Sequence, residues 1–243
     1  LPSRHHNKHK SPELSGRFVD IILTVMWEMA KILSLFAVIL LVTACGQLDP
    51  NDQIDEGEIV ENVYRSEEIG WTMEIPNGWK LLTREQVDGY ENKGKEMLLD
   101  AFSEDFDFDG LKNLLHFQKD QFNVFQSTSE PFLEEYKGEW SENNRALKDV
   151  LLETDRSQGI QVESSEIEIE EIDGVKFEVY NIVLKAPNGK VVVTQTMYSS
   201  LINGYDFGAN MTYNSDGARD VMLGVWKKSK FVRTHNKSVQ TIP

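Results

Sequence analysis

Few side chains in this 243-residue sequence have the types and spacing that do chemistry. Cys45 is the only cysteine, so the chain forms no internal disulfide and builds no site that needs two thiolates. Asp105-Phe106-Asp107-Phe108-Asp109-Gly110 opens like a calcium loop, because alternate carboxylates can converge on one cation and the glycine allows a sharp turn. The twelfth position of such a loop is a bidentate Glu, and here it is His116; the eighth is ordinarily apolar, and here it is Lys112. Both departures favour a solvated acidic turn, and no metal ligand is assigned. His116 stands between Leu115 and Phe117 and reads as a satisfied strand histidine rather than a base, while His235 lies in the C-terminal tail. The remaining histidines, His5, His6 and His9, sit in a polar stretch without the periodicity of a fold that could fix ligand geometry. There is no G-x-S-x-G elbow and no phosphate-binding glycine loop. The sequence therefore leads us to expect no catalytic residue, no cofactor, no metal and no enzyme.

The one thiol is placed by what precedes it. Lys31 gives a short basic start, and Ile32 to Val42 is an apolar run of 11 residues interrupted only by Ser34. A helix needs about 20 apolar residues to span a bilayer, so this run has the length of a secretory signal core instead. It ends in Val42, Thr43, Ala44 and Cys45, which resembles a bacterial lipobox. That resemblance implies a diacylglycerol on Cys45, cleavage after Ala44 and further acylation of the new amino group; two or more acyl chains hold a protein stably on a membrane. On this reading 1–28 lie outside the true product or extend the basic start, 29–44 are the signal peptide, and 45–61 are an acidic tether. Gly46 after the cysteine resembles lipoproteins sent to the outer membrane where an organism has two. The expected location is the bacterial cell envelope, with the membrane as one partner through Cys45.

Charge narrows the other partners. The chain carries −15; residues 1–45 contribute +2, leaving −17 beyond them. Such a balance repels nucleic acid and anionic lipid surfaces. Gly46 to Glu61 holds six acidic residues and no basic one and reads as a solvated linker.

Residues 62–231 are long enough for one core. Ile69, Trp71, Met73 and Ile75 alternate as a half-buried strand ending at Pro76-Asn77-Gly78. Thr83 to Gln86 fits a capping box and predicts a helix start, which Gly89 and Gly94 weaken. Two strands flank Lys119-Asp120-Gln121. Pro131 suits a first helical turn, and Leu147, Val150 and Leu151 share a face of a middle helix. Asp173-Gly174, Asn188-Gly189 and Asn203-Gly204 then join four strands as hairpins. Asn214 or Ser215 caps a last helix bearing Ala218, Val221, Met222, Val225 and Trp226 on one side, and 232–243 read as a disordered tail.

This order, from Ile75-Pro76-Asn77-Gly78-Trp79 through to Lys230-Phe231, resembles the PsbP-like superfamily over 63–231. The resemblance implies an α+β domain: an antiparallel sheet with helices on both faces, an α/β/α sandwich. It also implies a binding or assembly role with a protein partner at the envelope. Two functions are thus expected, an adaptor lipoprotein or a small-molecule or ion-binding accessory one. An exposed apolar patch rimmed by acids favours the first. A pocket with convergent polar groups favours the second.

Overall fold

The computed structural model describes residues 49–101 and 110–232. Cys45 and the rest of the lipobox, Asp105, Asp107, Asp109 and His235 lie outside the described residues. The strands are β1 (Glu58–Val60), β2 (Val63–Ser66), β3 (Trp71–Glu74), β4 (Lys80–Leu81), β5 (Lys112–Asp120), β6 (Asn123–Pro131), β7 (Gln161–Ser164), β8 (Glu168–Ile172), β9 (Val175–Lys185), β10 (Val191–Ile202), β11 (Tyr205–Tyr213) and β12 (Lys230–Phe231). The helices are α1 (Arg84–Ala101), α2 (Glu139–Ser157) and α3 (Asp216–Trp226). A large antiparallel sheet runs β4-β5-β6-β11-β10-β9-β7, with β8 also on β9. A second sheet runs β1-β2-β3-β12. The fold is α+β with helices on both faces of the large sheet, as expected. The separate small sheet was not expected; it takes the Trp71 strand and β12, the last strand among the described residues.

Several local expectations hold for the physical reasons given. Thr83 and Gln86 form the reciprocal capping box, with the Gln86 backbone N–H donating to Thr83 Oγ1 at 3.3 Å and the Thr83 backbone N–H donating to Gln86 Oε1 at 3.0 Å. Helix α1 runs on through both glycines to Ala101. The Asp173-Gly174 hairpin has positive φ at both residues (48° and 82°), the twist that matches right-handed strands. Ser215 caps α3 by accepting from Ala218 N–H, and Ala218, Met222 and Trp226 are buried, whereas Val221 is exposed.

Three expectations do not. Pro131 ends β6 rather than opening a helix, and α2 begins at Glu139. On α2 the buried positions are Asn144, Leu152 and Thr154, while Leu147 is 45% exposed. The reason for that is the polar sheet face below it, described next. The acidic stretch up to Glu61 is no free linker from Asp49 onward. Ile54 and Ile59 are buried in the main core, β1 pairs with β2, and Asp55 N–H donates to Asn113 O at 2.8 Å. Six carboxylates concealed two isoleucines at core spacing and a backbone free to pair.

The main core lies between the small sheet, α3 and one face of the large sheet. Trp71, Phe125, Phe177, Phe207 and Trp226 are fully buried there, with ring centroids 5.1–6.3 Å apart in edge-on, tilted and stacked contacts.

Candidate functional site

The other face of the large sheet is polar, and register shows how. His116, Gln126, Asn210 and Met197 lie opposite one another across β5, β6, β11 and β10. One step along, Thr128, Gly208 and Ser199 form a second row, and Glu130 and Asp206 a third. Side chains two residues apart on a strand share a face, so the three rows make one floor.

Two helices stand on that floor, each seated on its own small apolar cluster. Val87 of α1 packs with Leu82 and Val124. Leu152 of α2 packs with Tyr180 and Ile182. Neither cluster reaches the middle of the sheet, and a cleft of about 510 Å³ opens between the helices. Tyr90 and Gly94 of α1 and Leu147 of α2 form its walls; Gln126, Thr128 and Gly208 are on its floor. Tyr90 and Leu147 owe their exposure (40% and 45%) to this opening.

Polar contacts fix both walls. Trp140 Nε1 donates to Asp206 Oδ1 at 2.8 Å. Asn144 Nδ2 donates to Glu178 Oε2 at 2.7 Å, and Ser141 Oγ to the other oxygen of that buried carboxylate. On the α1 side, Glu91 pairs with Lys95 and accepts from Asn113 Nδ2 at 3.2 Å. Arg84 donates to the carbonyls of Asp52 (2.8 Å) and Ile54 (3.0 Å) and pairs with Asp55 at 2.9 Å. The segment expected to be a tether therefore braces the α1 wall.

The floor carries acceptors that the fold leaves unused. His116 is 3% exposed; Ser127 O lies 3.1 Å from Nε2 and accepts from it, which leaves Nδ1 as a lone-pair acceptor, and that atom has no partner. Burial pushes the ring pKa down to about 4, so it is neutral at pH 7. Asn210 Oδ1 is likewise buried and unpartnered. Among the described residues Gln126, Thr128 and Ser199 make no side-chain hydrogen bond, and Asp206 has no cationic partner. Burial holds the Asp206 carboxyl above the usual carboxylate range, against the lowering effect of the Trp140 N–H. Leaving a buried polar group unmatched costs about 1–3 kcal/mol, so a floor with several such groups suits something that arrives later.

Of the residues weighed for chemistry in the sequence, His116 is the one that the described residues place at this site, and Gly94 and Leu147, read there as helix positions, line it too. The rest of the floor was not singled out, because its residues are the polar alternates of core positions on β6, β10 and β11. The available signal was the alternation of Asp206, Gly208 and Asn210 with Phe207, Ala209 and Met211 on a central strand. In a sheet covered on both faces, that polar side has to face a helix or a ligand. Gly208 is a second signal. Its backbone is not left-handed, and a Cβ there would meet only Thr128 Oγ1, at 3.7 Å; glycine inside a strand often marks close approach by a ligand. No group of three or more metal-ligating side chains occurs among the described residues, and no described helix is long and apolar enough to cross a membrane.

The site and fold define a class, an α+β domain with a cleft over one sheet face. No family model matches the chain, and no curated protein does. Among solved structures the chain is similar to the solution structure of cyanobacterial PsbP (CyanoP) from Synechocystis sp. PCC 6803, with 12% identity and a TM-score of 0.47, over 78% of this chain and 98% of that one. A likeness of that size lends no weight to a shared partner or role.

Proposed function

We propose that this protein is a non-enzymatic, lipid-anchored binding protein of the bacterial cell envelope that takes a small organic molecule into the cleft between α1 and α2. The observation that carries this reading is the floor of unpartnered polar groups beneath a cleft of about 510 Å³, within the usual size of small-molecule sites. The adaptor reading has less behind it, because the large exposed apolar side chains fall on separate elements: Val60 on β1, Leu133 and Tyr136 before α2, Ile169 on β8. Attachment at Cys45 rests on the Val42-Thr43-Ala44-Cys45 sequence. Because the folded region starts by Asp49, four residues on, the domain would ride within roughly 14 Å of the lipid rather than at the end of a long leash.

Two measurements test this. Intact mass of the native protein should show acyl additions on a chain starting at Cys45; an unmodified thiol would sink the anchor. Thermal melts of the soluble domain against a small-molecule library should find stabilising ligands. A ligand at about 100 times its Kd adds about 2.7 kcal/mol. A library that gives no shift, alongside a stoichiometric protein crosslinked through another surface, would replace this reading with the adaptor one.

A further inference from the structure

Resting on the small-molecule reading, we infer that the cleft takes an uncharged planar ring with a hydrogen-bond donor and acceptor side by side on one edge, as in a cyclic amide, and that Gln126 reads that edge. The charged side chains lining the cleft are Glu91, Lys93, Lys95, Glu130 and Asp206. Glu91 and Lys95 pair with each other, and Lys93 stands exposed on α1. Glu130 and Asp206 share the third row, where Trp140 Nε1 donates to Asp206 Oδ1 at 2.8 Å. The first two rows carry no charge: Gln126 and Asn210, then Thr128, Gly208 and Ser199, beside a His116 ring that burial keeps neutral at pH 7. An ion seated there would leave water for a floor without a counter-charge, which is costly.

The groups within reach of the cleft both give and take. Gln126, Thr128 and Ser199 are half-buried and make no side-chain hydrogen bond among the described residues. Hydroxyls and amides donate and accept alike, so they answer a ligand that carries both kinds of group. Gln126 offers its amide oxygen and N–H together, which pairs with an adjacent donor and acceptor as glutamine does on the edge of adenine. Shape sets the ring. Thr128 and Ser199 stand on the strands either side of Gly208 and in register with it, roughly 9.5 Å apart by strand spacing. Between them the bare glycine lets a flat group approach the backbone, and Tyr90 and Leu147 offer apolar surface from the two walls.

Gly208 gives the means of testing it, because the fold itself does not need a glycine there. Its Cβ position is open apart from an ordinary contact with Thr128, so Gly208→Leu should fold and fill the floor. The protein used is the domain beginning at Gly46, which holds every core residue described. The probes are monocyclic and bicyclic aromatic lactams. Each is matched to its N-methyl counterpart, which lacks the donor, and to a carboxylate and an ammonium derivative of the same ring. Binding is read by calorimetry and thermal shift. The expected result is a lactam bound about tenfold tighter than each counterpart. Gly208→Leu should abolish that binding with cooperative unfolding retained. Gln126→Ala should leave the melting temperature of the free domain nearly unchanged and erase the preference over the N-methyl counterpart. Where Gly208→Leu abolishes binding, an ionic counterpart held as tightly as the lactam, or a preference that survives Gln126→Ala, overturns this inference and leaves the binding reading standing. Lactam binding that Gly208→Leu does not touch lies outside the cleft and overturns it as well. So does the absence of binding in every series; the wider library then decides the binding reading, which falls if no ligand there loses its effect in Gly208→Leu.

Discussion

The two faces of the large sheet are made by the same strands and have opposite characters. On β6, Phe125, Ser127 and Ser129 point to the main core, and Gln126, Thr128 and Glu130 to the cleft; on β11, Phe207, Ala209 and Met211 oppose Asp206, Gly208 and Asn210. The core face is dense with rings and leaves even Trp226 Nε1 without a partner. The cleft face leaves polar groups unpartnered around open space. Packing rewards the first face for filling every gap; nothing in folding rewards the second for being hollow. A hollow polar face on central strands is the mark of a surface kept for something other than stability.

The N-terminal segment touches both faces, so its removal should have the largest effect. Ile54 and Ile59 belong to the core, while Asp52, Ile54 and Asp55 hold Arg84 at the foot of α1. Burying each isoleucine contributes about 1.5–3 kcal/mol. A domain beginning at Glu61 should therefore be about 3–6 kcal/mol less stable in urea than one beginning at Gly46. Equal midpoints and slopes would show the segment to be a passive tether after all.

Single substitutions then separate the faces directly. Phe207→Ala opens a cavity among Trp71, Phe177 and Trp226 and should cost about 3–5 kcal/mol. Gln126→Ala, one strand over and facing the cleft, should stay within about 0.5 kcal/mol. If the two cost the same, the cleft face is structural and the contrast fails.

His116 gives the contrast a pH dependence. Its folded pKa, about 4, lies below the usual 6.5 because burial disfavours the imidazolium. Between those values the unfolded chain binds a proton that the folded chain refuses, so stability falls as pH falls. From pH 6.5 to 5 the loss should be about 1.5 kcal/mol, and His116→Leu should flatten that part of the curve relative to the native chain. Parallel curves would mean the ring charges inside the fold.

How much of this could be read beforehand follows from what each signal depends on. The capping box at Thr83, the Asp173-Gly174 and Asn203-Gly204 turns and the Trp71 strand were legible because local geometry or strict alternation dictates them. The small sheet was not, because it pairs β3 with β12, 158 residues away between Trp71 and Ser229 Oγ, whose 3.1 Å hydrogen bond closes it. The acidic run to Glu61 misled because net charge outweighed two isoleucines. The cleft was illegible for a different reason. Polar residues alternating on a strand look the same whether water, a helix or a ligand covers them, and only the placement of α1 and α2 decides which.

The smallest expected effect isolates the two faces within two adjacent residues. Strand β5 bulges between Asn113 and His116, which breaks the ladder to β6 and sends Leu114 and Leu115 both into the core. Ser127 repairs the break: its hydroxyl accepts from Leu115 N–H at 2.9 Å and donates to Leu115 O at 3.0 Å. Thr128 points the other way, and its hydroxyl bonds to nothing among the described residues. Ser127→Ala should thus cost on the order of 1 kcal/mol, seen as a lower urea midpoint and faster amide exchange at Leu115. Thr128→Val keeps the shape, removes an unused hydroxyl, and should leave the midpoint unchanged. Its effect should be confined to ligand affinity. A stability loss at Thr128 equal to that at Ser127 would mean that the hydroxyl serves the fold, and that the floor of the cleft is less empty of purpose to folding than its geometry indicates.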